Sequence, residues 1–223
     1  MKKWTAVDSA PTPDGRVISL GEHDGTWSIR VDGIELMSTW RHQSEDRIAE
    51  LGCAHATGLR KARVLIGGLG LGFTLKAALA ALRADAAVVV AEMVAGVIEW
   101  NRNPAFPLAA DALADRRVSV ALRDVVDVIA EERAGFDSII LDVDNGPAAL
   151  TADSNHRLYS PDGLARARAA LRPGGCMAVW SVLPDKRFEK ALARAGFAVE
   201  TQRCRAHATS GGWHTIFLGR VKS

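Results

Sequence analysis

Two hydrophobic rhythms divide the chain. From Trp4 to Trp40, short runs in which apolar and polar positions alternate are separated by turn residues: Arg16 to Glu22, Thr26 to Val31 and Ile34 to Ser38, with His23-Asp24-Gly25 and Asp32-Gly33 between them. Asp-Gly between two alternating runs predicts a hairpin, so this part reads as a small antiparallel β region spanning residues 1–42. From residue 43 to 223 the pattern changes to continuous apolar runs separated by stretches of helical spacing, which predicts a parallel sheet covered on both faces. The first of these stretches is a helix capped at Ser44, with Glu45 and Asp46 in its first turn, Ile48, Leu51 and Ala54 facing inward, and an end near Gly58.

A strand beginning at Ala62 is predicted to run into a glycine-rich turn, and further strands over Ala86 to Ala91, Arg117 to Leu122, Phe136 to Asp142 and Cys176 to Val182, with helices between them. Ser160-Pro161 is a cap-plus-proline helix start, and Leu171-Arg172-Pro173-Gly174-Gly175 turns a helix into the strand after it. Phe197 to Cys204 and Trp213 to Arg220 complete the pattern as an antiparallel hairpin. The fold class is therefore α/β, a Rossmann-like doubly wound sheet with an N-terminal antiparallel appendage and a C-terminal antiparallel hairpin.

Composition narrows the function classes. With 28 basic and 26 acidic side chains the net charge is only +2, so no strong field for nucleic acid or an anionic membrane is expected. No apolar run follows Lys2 and Lys3, and none approaches the length of a membrane span, which reads as a cytoplasmic chain acting on a small molecule. Cys53, Cys176 and Cys204 are scattered and suggest neither disulfides nor a metal cluster, and His207 and His214 lack a third ligand at suitable spacing.

The chemistry concentrates where strands end. The strand from Ala62 runs into Gly67, Gly68, Gly70 and Gly72, and Leu71, Leu75, Leu79 and Leu82 then recur at helical spacing. Such a turn lets a ligand approach the backbone and presents free N–H groups to it. The dinucleotide fingerprint needs a third glycine where Phe73 stands, which disfavours a nicotinamide or flavin dinucleotide. The remaining Gly68-x-Gly70-x-Gly72 suits the amino-acid end of S-adenosylmethionine in the methyltransferase-type fold. Glu92, twenty positions after Gly72, is placed to accept hydrogen bonds from both ribose hydroxyls of an adenosine. Asp124 is a candidate both for the adenine amine and for a helix cap. Asp142 ends the fourth parallel strand; with Asp144, Asn145 and Tyr159 from the long loop after it, it is expected over the cofactor, and the polar connector containing Trp40, His42 and Gln43 is a candidate wall for the substrate.

The order of these pieces resembles the spermidine synthase family. Leu36-Met37-Ser38 leading to Glu45-Asp46, Val64 to Gly72, Glu92, Asp124, Asp137 to Asp142 and Leu171 to Gly175 carry the resemblance. It implies a catalytic domain over 43–223 that binds an adenosyl-sulfonium donor, with Glu92 on the ribose, Asp124 on the adenine, Asp142 positioning and deprotonating the attacking amine, Asp144 or Asn145 near the family's second acid, and a homodimer. Two features depart from the family. Gly70 stands where the family's turn carries an acid, and Arg41 in the connector would repel a polyamine. Without an acid at 70 the turn offers N–H groups and room for a donor that keeps its carboxylate. The expectation is therefore methyl transfer from S-adenosylmethionine to a small polar acceptor. Aminopropyl transfer from decarboxylated S-adenosylmethionine to a diamine, and a non-catalytic nucleoside-binding module, are the alternatives.

Overall fold

The computed structural model describes residues 4–143, 157–207 and 211–222. Among these residues the strands form two sheets, one of four strands and one of seven. The smaller is an antiparallel meander of β1 (Thr5–Pro11), β2 (Val17–His23), β3 (Thr26–Val31) and β4 (Ile34–Ser38). The turn residues read from the sequence deliver these hairpins: Asp24, Gly25, Asp32 and Gly33 all have positive φ. The period-two pattern does not mark β1, because nearly all of its side chains are exposed and none alternates inward. Ile18, Leu20, Ile29 and Val31 form the buried face of this sheet.

The larger sheet runs β10-β11-β9-β8-β5-β6-β7. Its parallel core comprises β5 (Arg63–Gly67), β6 (Ala87–Glu92), β7 (Val118–Leu122), β8 (Phe136–Leu141) and β9 (Leu171–Ser181). β10 (Ala198–Arg205) and β11 (Trp213–Arg220) add the antiparallel end. Helices α1 (Gln43–Cys53), α2 (Phe73–Ala81), α3 (Ala95–Arg102), α4 (Ala110–Leu113), α5 (Val125–Ala130), α6 (Pro161–Ala170) and α7 (Lys186–Arg194) connect these strands. Every side chain of β8 is buried, as its unbroken apolar run requires when helices cover both faces. Asp137 is the charged exception in that run: its carboxylate accepts from the Arg63 N–H and from Arg172 Nη1, each at 2.7 Å, which offsets the cost of burying it.

Some local details differ from the sequence reading. The N-cap of α1 is His42 rather than Ser44, and the helix ends at Cys53, short of Gly58. Ser44 lies inside the helix and is fully buried. The Pro173-Gly174-Gly175 turn belongs to β9, which starts at Leu171. The expected cap at Ser160 is present, its oxygen accepting from the Gly163 N–H at 3.1 Å.

The sheet positions the site through its topology. β5 is flanked by β6 and β8, so the chain winds away in both directions from the gap above β5. Open α/β sheets bind ligands at such a switch point, outside the carboxyl ends of the strands. Gly67, Glu92, Asp142 and Ser181 all fall at that edge. Helix α1 comes close to the sheet beneath it, because a Cβ on Gly52 would stand 2.9 Å from Ile140 and Ser138 Oγ donates to the Gly52 carbonyl at 2.8 Å.

Candidate active site

A cavity of about 550 Å³ opens at this switch point. Gly68, Gly70, Glu92, Asp124 and Asp142 line it from the larger sheet, Ile18, Ile29, Val31 and Met37 from the N-terminal sheet, Glu45 from α1, and Trp180 from β9. The backbone of the glycine turn explains its composition. Gly68 has φ +86° and its N–H donates to the Ala91 carbonyl at 2.9 Å; a Cβ there would strike the Asp142 carbonyl oxygen. Gly70 has φ +51° and meets Met37 instead, whose Sδ and Cε would be 2.6 Å from its Cβ. The room expected above Gly70 is thus partly taken by a thioether side chain.

Glu92 is fixed by the turn it serves. Its Oε2 accepts from the Leu69 N–H and its Oε1 from the Val94 N–H, both at 2.9 Å. Together the two bonds fix the orientation of the carboxylate, which also lines the cavity. Asp124 caps α5 through the Val126 N–H at 2.9 Å and lines the cavity as well, so the expected cap is present at a residue that also faces the cavity. Gly67 closes β5, and a side chain there would collide with Val125. Gly72 starts α2 with φ +80° and is packed against Ala109, outside the cavity lining.

Asp142 accepts from Thr74 Oγ1 at 2.6 Å, and the same hydroxyl lies 3.4 Å from the Glu45 carbonyl oxygen. Glu45 is 9% exposed. Burial pushes its carboxyl up from 4.5 to about 8, and the negative charge of Asp142 adds to the shift. At neutral pH Glu45 therefore keeps its proton, close enough to the Asp142 carboxylate on the same wall to feel its charge. Its position suits a cationic amine, which two acids can both attract and relieve of a proton.

The connector and Tyr159 supply less than the sequence suggested. Trp40 is 58% exposed and stacks on His207 with ring centroids 4.6 Å apart. His42 bonds Asp46 at 2.7 Å and stacks on Phe73 at 4.1 Å. Gln43 opens α1, and Tyr159 is buried edge-on against Phe188 in the core. None of the four lines the cavity, because the chain enters the site one element earlier, at Met37, and one turn later, at Glu45. Asp144 and Asn145 lie outside the described residues. Sequence reasoning treated Glu45 as a first-turn acid suited to the helix dipole and as part of the family resemblance, without assigning it to the site; the groups that face it, Asp142, Thr74 and Cys204, are distant in the chain and leave no local signal. Among the described residues no group of three or more His, Cys, Asp or Glu is arranged to hold a metal ion, and no helix is long and apolar enough to cross a membrane.

No family model matches the chain. In sequence, 171 residues, 72% of this chain, are 32% identical to the polyamine aminopropyltransferases of Mycobacterium tuberculosis and Mycobacterium bovis. The chain spans about a third of the length of these curated relatives, 31%. In structure it is similar to the spermidine synthase of Thermotoga maritima, with a TM-score of 0.74 at 18% identity over 96% of this chain and 72% of that one. A spermidine synthase in complex with the transition state analogue AdoDATO matches with 0.73 over the same shares and at 18% identity. The O-methyltransferase TomG from Streptomyces achromogenes, in complex with SAM, matches with 0.56 at 20% identity over 81% of this chain and 80% of that one. These likenesses establish the methyltransferase-type fold.

Proposed function

The chain is a spermidine-synthase-like protein of the methyltransferase-type fold, and on that premise we propose that it transfers an aminopropyl group from decarboxylated S-adenosylmethionine to an amine. The observation that carries this reading is the pairing of Glu45 and Asp142 in one cavity with Glu92 and Asp124. Glu92 receives the ribose hydroxyls, Asp124 the adenine amine, and Gly68 allows the donor to lie against the backbone. An acidic cavity attracts a sulfonium and ammonium groups. A donor that kept its carboxylate would bring a further negative charge toward Asp142, and Met37 occupies part of the space above Gly70 in which the sequence reading seated that carboxylate. This favours aminopropyl over methyl transfer, in agreement with the aminopropyltransferase relatives.

The reaction is an in-line displacement. The amine nitrogen forms a bond to the propyl carbon beside sulfur as the carbon–sulfur bond breaks, and the bonding electrons pass to sulfur, leaving a neutral thioether. An ammonium has no lone pair, so a proton must first leave it, and Asp142 with Glu45 provides the base. Holding nitrogen, carbon and sulfur in line accounts for most of the acceleration. Calorimetry with each donor, followed by mass analysis of the amine product, tests the reading. The decarboxylated donor should bind at least about tenfold tighter, ~1.4 kcal/mol, and the product should carry an aminopropyl group. A preference for ordinary S-adenosylmethionine with a methylated product overturns it.

A further inference from the structure

We propose that Ser44 and His214 form a proton exit from the carboxyl pair, carrying the proton shed by the reacting amine out through α1 and β11; this rests on the aminopropyl-transfer reading. The geometry begins with a serine that has no helix-capping role. Ser44 is fully buried and within the first turn of α1, where its hydroxyl bonds to Glu45 Oε2. On its other side the same hydroxyl oxygen lies 3.0 Å from His214 Nδ1. A hydroxyl both donates and accepts, so it can pass a proton between a carboxyl and an imidazole without moving. His214 is half-buried, its ring edge-on to Trp180 at 4.6 Å, and burial lowers its affinity for a proton. A neutral ring is what a transient acceptor requires.

The groups facing Glu45 set the direction. Asp142 approaches from the end of β8, Asp46 from α1 itself, the Cys204 thiol from β10, and the Thr74 hydroxyl from α2. The charged members of this set are anionic, so they favour a proton on Glu45 until the pair receives a cation. When an ammonium enters, Glu45 gives its proton to Ser44 Oγ as Ser44 gives its own to His214 Nδ1. The pair, left with both carboxylates ionised, takes one proton from the ammonium, which becomes the neutral nucleophile. One proton arrives from the amine, one leaves onto the imidazole, and His214 releases it to water from its second ring nitrogen. Ser44 and His214 are positioning residues, since they act through Glu45.

The test needs no ligand at first. In the free protein labelled with ¹³C at Glu and ¹⁵N at His, His214 Nδ1 should be unprotonated at neutral pH, and its shift should change at the inflection at which the Glu45 carboxyl titrates. Ser44→Ala should remove that shared inflection. An Nδ1 that carries the proton at neutral pH, or a shared inflection that survives Ser44→Ala, overturns the exit without any variant needing to be active. With decarboxylated donor and an amine, Ser44→Ala should lower kcat on the order of tenfold or more at neutral pH, leave donor affinity unchanged, and lose less rate as pH rises. Ser44→Thr, which keeps the hydroxyl, should restore it. A loss that is equal at every pH overturns the proposal. If the wild-type protein binds no adenosyl donor, the aminopropyl-transfer reading fails and the catalytic use of the exit fails with it; turnover with an unchanged pH profile in Ser44→Ala sinks the exit alone.

Discussion

Replacing Glu45 by Gln should make the protein more stable in alkaline solution and leave it nearly unchanged in acid. Glu45 is pushed from 4.5 to about 8 by burial first and by the charge of Asp142 second. A carboxyl whose affinity for a proton rises on folding supports the folded state fully below pH 4.5. As pH climbs, the unfolded chain ionises while the folded chain stays protonated, so stability falls until pH passes about 8. At about 1.4 kcal/mol per unit the group costs the folded protein about 3–5 kcal/mol above that point. Gln is neutral throughout and its side-chain amide can still bond to Ser44 Oγ, so the variant escapes the cost. Urea denaturation of both proteins across the pH range, at constant dependence on denaturant, measures the difference directly. It should be near zero below pH 4.5 and grow to its full value above about 8. A pH-independent difference, or a variant less stable in alkali, would refute the reasoning. Asp142→Asn provides an internal check: it should lower the Glu45 inflection without returning it to 4.5, since burial is the larger cause.

Three further outcomes follow from the site. Restoring an acid to the turn with Gly70→Asp should destabilise the protein by about 1–2 kcal/mol for the left-handed backbone alone and more for the collision with Met37, and adding Met37→Ala should recover the collision part in thermal melts while tightening the decarboxylated donor. Glu92→Gln keeps one acceptor but turns an N–H toward a backbone donor, so the turn should lose about 1.5–3 kcal/mol and donor affinity should fall at least tenfold by titration calorimetry. Burial pushes the thiols of Cys53 up to about 12 and Cys176 up to about 11, so neither should react with iodoacetamide at neutral pH until the protein is unfolded.

Residue order alone places much of this molecule. Period-two alternation and Asp-Gly turns give the N-terminal hairpins, and unbroken apolar runs give the parallel strands, because these signals sit within a few residues of the structure they predict. Glu92, Asp124 and Asp142 are legible for the same reason: each ends a strand or starts the helix after it, and parallel strands bring all their carboxyl ends to one edge. Trp40 and Tyr159, by contrast, have the chemistry of site residues and lie elsewhere, one stacked on His207 at the surface and one within the core.

What only the tertiary structure decides is the environment of groups that the sequence already names. Met37 and Gly70 are far apart in the chain, yet their contact determines how much of the turn remains open. Ser44 resembles a helix cap by its neighbours, and it meets instead a histidine 170 positions away. Glu45 looks like an ordinary first-turn acid until Asp142 after β8, Thr74 of α2 and Cys204 of β10 come to face it. Periodicity reports which face of an element turns inward, a property of adjacent residues; burial and charge at a point are sums over elements that come together only in the folded chain, and the acid–base character of this cavity is such a sum.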